Sequence, residues 1–485
     1  MKPSLELLDQ PFIERILAEA FELLAHHGVK VQAPQLIELL SSGGARIENG
    51  IAKIPESVCV HALATVPREF SLYNRAGDPV VHCGGDSVQF DPGSSCLNVL
   101  DPDTLGERPA KSSDLVRLVQ VAEMLPQYNA QSTALVCEEA PEQIADLYRL
   151  FVVLRHSQKP VITGAFSARG LDSMIELLAL ESGGRDTLKA KPRAVFDVCP
   201  SPPLNWSGFG AENLMDLARA GVPAELISMP LAGATAPVTL AGSVVQHAAE
   251  SISGIVIHQL AKPGAPIVWG GAPAIFDMRT GTTPMGAIET AMLNVACTQV
   301  GKYLKLPTHG YLVASDSKSV DAQAGMESGM SALLGALAGI NMISGAGMLN
   351  FLACHSVEKL VIDAEAIAYA QRFVGGIEPR TETLATAMFA AVGHSGEFLK
   401  LEDTRRLFRG EQYLPSPVID RGSPNPEGSS TYDRARERVG ELVASYTRPP
   451  MDSVVERDLH LFMEEHCERA GMRQHVRLGE FADVT

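Results

Sequence analysis

Residues 306–346 read LPTHGYLVASDSKSVDAQAGMESGMSALLGALAGINMISGA. The first nine residues form an apolar run that does not alternate with polar positions. A polar tetrad, Ser315-Asp316-Ser317-Lys318, interrupts it. The segment from Asp321 to Ala338 then spaces its apolar residues as a helix does, and a second apolar run covers 340–346. A strand without polar alternation is buried on both faces, and strand–helix–strand in this order predicts a parallel βαβ unit. The same rhythm extends outward. Apolar runs at 128–133, 160–166, 193–199, 224–230 and 265–271 alternate with helical stretches. Seven or eight such units predict an α/β fold of the (β/α)8 TIM-barrel kind, with a doubly wound sheet as the alternative.

The flanks are different. Residues 10–27 have the pattern of an amphipathic helix ended by Gly28. In ARIENGIAKIP (45–55) the Asn-Gly pair predicts a hairpin, and SVQFDPGSSCLNVLDPD (87–103) predicts another β-ribbon. Residues 1–110 are therefore taken as an N-terminal extension, 111–420 as the barrel, and 421–485 as a polar loop followed by two charged helices (434–446 and 451–471).

Composition limits the function classes. The 485 residues are 46% hydrophobic and 20% charged, with a net charge of −17. An acidic chain without a lysine/arginine run does not suit a phosphate backbone, so no nucleic-acid partner is expected. The eight cysteines form no C-x-x-C pair, which predicts neither a zinc knuckle nor a redox motif, and no metal held by this chain. Free thiols, together with an N-terminus lacking a signal peptide's apolar centre, predict a cytoplasmic protein. Histidines and Glu250 interrupt the most apolar stretch, 244–260, so no membrane span is expected. Helices rich in Ala and Gly suit a homo-oligomer.

In a barrel the reactive groups lie where strands end and βα loops begin. Those positions carry Asn205, Trp206 and Phe209 after the third run, Trp269 and Arg279 after the fifth, His309, Tyr311, Asp316 and Lys318 around the sixth, and His355 after the seventh. Trp206 and Trp269 are the only tryptophans. Aromatic faces at a barrel mouth would cage a quaternary ammonium, which attracts π faces and donates no strong hydrogen bond; the other reading is that they cap the barrel core. Asp316 and Lys318 read equally as the cap of a helix and an exposed lysine, or as a Schiff-base lysine site for a barrel lyase.

Several stretches together resemble the trimethylamine:corrinoid methyltransferase family. They are DMRTG (277–281), SDSKSVDAQAG (315–325), VEKLVIDAEAI (357–367) and GEFLKLEDTRRLFRGEQYLPSPVIDR (396–421). The resemblance implies a (β/α)8 barrel that moves a methyl group from a methylated amine to Co(I) of a corrinoid (cobalamin) carried by a separate cognate protein. The founding enzymes carry pyrrolysine. This chain has only standard residues, so it resembles the branch that demethylates quaternary amines such as glycine betaine. Asp316 and His355 are then the candidate catalytic residues. Asn205, His309, His355, Arg279 and Lys318 are candidates to anchor a substrate carboxylate, and Trp206, Trp269, Phe209 and Tyr311 to surround the cation. A non-catalytic member that binds a methylated amine or a corrinoid protein is the other expectation. Glu402-Asp403-Thr404 stands where the family pattern has His-Thr, a departure that touches substrate or partner choice.

Overall fold

The computed structural model describes residues 3–166, 170–394, 396–422 and 428–472. The part of the polar loop at 423–427 and the last residues of the chain lie outside them.

Eight short parallel strands alternate with eight helices. The strands are β1 (Gln89–Pro92), β2 (Gln131–Ser132), β3 (Val161–Gly164), β4 (Ala194–Val198), β5 (Ala224–Leu226), β6 (Ile267–Val268), β7 (His309–Tyr311) and β8 (Met342–Ala346). After them come α1 (Ser112–Met124), α2 (Ala145–His156), α3 (Gly170–Ser182), α4 (Gly208–Ala220), α5 (Leu240–Ala261), α6 (Ile288–Tyr303), α7 (Ala322–Leu337) and α8 (Val357–Val374), with a second, short helix, Arg185–Ala190, between α3 and β4. All seven apolar runs contain a strand. The eighth, β1, comes from the 87–103 stretch expected to be a ribbon: it pairs in parallel with β8, Phe90 opposite Ile343 and Asp91 opposite Ser344. A residue pattern read locally as a hairpin is here recruited by a partner some 250 positions away.

Strands β2 to β6 form one parallel ladder, and β7, β8 and β1 another. A parallel bridge from Trp269 to Thr308 carries β6 on to β7. Beside β2, the Asn129 amide donates to the Phe90 carbonyl of β1 at 3.0 Å. Polar caps set the helix starts: Ser207, Thr239, Asp321 and Ser356 each accept from the amide three residues on, fixing α4, α5, α7 and α8. The Asn-Gly hairpin also forms, with Arg46–Glu48 antiparallel to Ile51–Lys53 and positive φ at Asn49 and Gly50.

One face of the strands packs against the helices. There Trp269 lies on α6, where a Cβ on Gly301 would come within 2.5 Å of the indole ring. Gly301→Ala is therefore expected to lower unfolding stability by about 1–3 kcal/mol by overpacking, despite alanine's better helix propensity; urea denaturation checks this. The opposite face begins with Ile162, Val195, Val268 and Met342. These pack on Leu72, Val81 and Cys83 of the hairpin formed by Phe70–Tyr73 and Pro79–Cys83, which closes the N-terminal side of the sheet. Helix α5 is long and apolar enough to cross a membrane by length and composition, yet 83% of its most apolar window is buried within the protein. It is a core helix, packed on α4, α6 and the helix Gln10–Glu22.

Candidate functional site

Strand alternation places a second layer of side chains just above the hairpin-covered apolar one. Two residues beyond Val195 stands Asp197, and two beyond Met342 stands Ser344. Glu225 lies opposite Asp197 in the β4–β5 register, and Asp91 opposite Ser344 in the β8–β1 register. His309 on β7 joins them. The Ser344 hydroxyl donates to the Asp91 carboxylate at 2.8 Å, and His309 Nε2 lies 3.1 Å from the Ser344 oxygen. On its other side His309 Nδ1 lies 2.7 Å from Glu225 Oε1. One set of protons fits the Ser344 contacts: Ser344 gives its proton to Asp91 and so accepts from Nε2. Nδ1 then carries no proton, and although it lies close to Glu225 the two groups make no aligned hydrogen bond.

The electrostatics agree with that assignment. Burial pushes the Glu225 carboxyl well above its ordinary range and the His309 imidazole down to about 4. Burial raises Asp91 and Asp197 too, and the neighbouring Glu225 adds repulsion. Three carboxylates thus share a site too dry and too crowded for all of them to ionise. Asp197 is the accessible one. It is partly exposed, one of its oxygens has no hydrogen-bond partner, and Phe166, 54% exposed, lies across Gly164 from it. The Tyr311 hydroxyl accepts from the Ser94 amide at 2.9 Å, and the ring stands 6.1 Å from that of His309.

The other residues expected at the site lie elsewhere. The tryptophans make no cage. Trp206 pairs with Val31 of the N-terminal sheet, donates to Ser253 on α5 at 2.9 Å and is fully buried; Trp269 donates to the Cys297 carbonyl at 2.9 Å on the helix side of the sheet. Their size is spent on core packing. Asn205 also lies on the Lys30 strand, and Phe209 is in the first turn of α4. Arg279 is 88% exposed and paired to Asp277 within its own turn. His355 is buried beside Gly347, with burial and nearby Lys359 pushing it down to about 3; its strand pairs with Asn98–Leu100 and Met348–Leu349, outside the carboxylate layer.

The S-D-S-K tetrad is a self-capping loop. Asp316 accepts from the Met285 and Gly286 amides at 2.8 and 2.9 Å, joining two βα loops, and burial pushes it up to about 6. Ser315 donates to Glu327, and Ser317 to Asp321, which itself caps α7. Lys318 donates to the Asp316 carbonyl at 2.7 Å and lies 4.0 Å over the Phe351 ring.

Comparison with known proteins settles what this scaffold is. The sequence matches the trimethylamine methyltransferase family over residues 1–471. The chain belongs to the trimethylamine methyltransferase family. It is 30% identical to the trimethylamine methyltransferase of Methanosarcina thermophila, over 94% of this chain and 96% of the relative. It is 29% identical to the Desulfitobacterium hafniense trimethylamine methyltransferase, over 95% and 94%. A D. hafniense glycine betaine methyltransferase is 26% identical over 97% and 98%. The crystal structure of the Methanosarcina barkeri monomethylamine methyltransferase superposes with a TM-score of 0.53 at 13% identity, covering 90% of this chain and 88% of that one, and so shares its fold.

An acidic layer of this kind on parallel strands has the chemistry to hold a cation. Of the residues singled out in the sequence, His309 and Tyr311 reach this layer. Asp91, Asp197, Glu225 and Ser344 were missed, although a signal existed. Asp197 and Glu225 are charged residues inside runs otherwise apolar enough to be buried on both faces, and a buried charge needs a reason.

Proposed function

We propose that this methyltransferase takes a methyl group from a quaternary amine held above Asp197 and passes it to Co(I) of a corrinoid carried by a separate protein. We further read the eight strands as a closed (β/α)8 barrel. The support for closure is that every strand has a neighbour on each side. The observation that carries the substrate reading is the layer of Asp91, Asp197 and Glu225. Among the described residues, no lysine or arginine is ion-paired to any of the three.

The chemistry suits those residues. A quaternary nitrogen already bears its charge. When the C–N bond breaks, the electron pair stays on nitrogen, the methyl carbon bonds to the attacking nucleophile, and a neutral tertiary amine leaves. No general acid is needed, and none of the layer's carboxyl groups has to donate. Their task is to hold the cation in line. Sharing protons, they hold it less tightly than three full charges would, which limits over-stabilisation of the ground state. Phe166 and Tyr311 supply aromatic surface for the N-methyl groups. The corrinoid supplies the nucleophile, and the rim suits its approach: Phe166, Met229, Val238 and Met278 are exposed in the loops after β3, β5 and β6, with Val238 and Met278 meeting over Gly233.

The test is to incubate the protein and a reduced corrinoid protein with tetramethylammonium, choline, glycine betaine, carnitine or trimethylamine, following loss of the Co(I) absorbance. Consumption with at least one quaternary amine is expected. Consumption with trimethylamine alone, or with none, would overturn the proposal.

A further inference from the structure

Between α8 and the C-terminal helices the chain leaves the body as an arm, residues 376–412. It contains the helix Thr386–Val392, a 3-10 turn at Phe398–Lys400 and the helix Glu402–Glu411, and none of the described residues in these three elements is buried. Its apolar residues stand in solvent: Ile377 is 96% exposed, Leu384 80%, Leu399 79% and Phe389 58%. Phe389 and Phe398 touch only edge to face, ring centres 5.2 Å apart. Helices this short do not hold themselves together in water, so an ordered arm requires a surface to lie on.

The arm is tied down at its root by polar contacts. Arg372 donates to the Glu411 carbonyl at 2.9 Å, Arg380 pairs with Glu411 at 2.8 Å, and the Tyr413 hydroxyl donates to Glu365 at 2.8 Å. Beside the root lies a groove of about 750 Å³ walled by Tyr369, Phe373, Ile377 and Tyr413.

We infer that the arm packs against a second copy of this chain, the apolar residues of each arm entering the groove at the root of the other. Three observations favour this occupant. First, knob and hole are both present on one chain, which is what a self-complementary two-fold interface requires. Second, the exposed apolar surface between Tyr369 and Leu414 is on the order of 1,000 Å², taking ~150–250 Å² for a fully exposed large side chain. That is enough apolar surface to supply the ~800 Å² each partner buries in a stable interface. Third, residues 376–412 carry six acidic and five basic side chains in a chain of net charge −17. Two such acidic molecules repel each other over most of their surface, and this near-neutral segment is where they can approach.

The experiment uses the full chain. Light scattering after gel filtration at micromolar concentration should give a multiple of the 51.8 kDa protomer. The double variant Phe389→Asp/Leu399→Asp should run at half that multiple or less while keeping the wild-type far-UV circular dichroism and a cooperative melt, since both residues are exposed in the single chain. Met326→Asp, exposed on α7, should leave the assembly intact. A monomeric wild type, an assembly that survives the double variant, or one that Met326→Asp also disrupts would overturn the inference. So would a double variant that stays assembled but no longer binds a corrinoid protein, because the arm would then serve that partner instead.

Discussion

Asp197→Asn is expected to raise KM for a quaternary amine about 30- to 100-fold while leaving the fold intact. The side chains are isosteric, so the change isolates one charge. A carboxylate about 6–8 Å from a cationic nitrogen at an effective dielectric of about 20 contributes roughly 2–3 kcal/mol, which sets the range. The pH dependence should change with it. In the empty site the groups facing Asp197 are Glu225, His309 and Arg149; burial and Glu225 hold its carboxyl up, while His309 and Arg149 pull it down. A bound cation favours the ionised form, so binding expels a proton. Affinity should therefore rise with pH above the ordinary carboxylate range, by up to about tenfold per unit for each proton released. The sign for stability is the reverse. Carboxyls whose pKa is raised in the folded state favour folding while protonated, so the empty protein loses that contribution as pH rises from about 4 through the raised values, and tetramethylammonium should restore it. Steady-state KM and melting temperature measured across about pH 5.5–8, in wild type and Asp197→Asn, check both slopes. An unchanged KM in the variant would remove Asp197 from the site.

The fold was legible because repetition is robust. Seven apolar runs separated by helices leave few alternatives, and an error of a few residues at each end, such as reading 224–230 for a strand that spans 224–226, does not alter the alternation. The site was less legible because a sequence shows which residues stand near strand ends but not which face they take. Trp269 follows β6 immediately and was read as part of the mouth. The pleat turns it toward α6, while its neighbours Val268 and Gly270 take the other face. His309 and Tyr311 sit on one strand two residues apart, so both reach the layer. Asp91 was concealed differently: its strand looked like half of a local ribbon, and only the pairing with β8 reveals it as part of the sheet. Asp316 was noticed for its charge, but two backbone amides use that charge to join loops.

Lys359→Met should be the most destabilising single change away from the site, costing about 3–5 kcal/mol. Lys359 and Asp363 are both buried on α8, 2.6 Å apart. The ammonium also donates to Ser328 on α7 at 2.7 Å and to the Val313 carbonyl beyond β7 at 3.1 Å, and Asp363 accepts from the Gly347 amide beyond β8 at 2.7 Å. The pair thus pins α8 to α7 and to the chain leaving β7 and β8, the two strands that carry His309, Tyr311 and Ser344. Methionine fills the volume of the lysine stem but leaves a buried carboxylate without its counter-charge, and breaking such a pair from one side is costly. Burial already pushes Asp363 upward, with Lys359 holding it down. Without the lysine the folded-state pKa rises further. The deficit should then be smallest below the ordinary aspartate pKa of about 4, where the carboxyl is protonated in both states, and grow as pH rises toward neutrality. Lys359→Met/Asp363→Leu should recover most of the loss and flatten the pH dependence, retaining about 1–3 kcal/mol for the orphaned Gly347 amide. Urea unfolding of the three proteins at about pH 4.5 and 7.5 measures the coupling directly. A double variant no more stable than Lys359→Met at neutral pH would show that the cost lies in lost packing rather than in the unpaired charge.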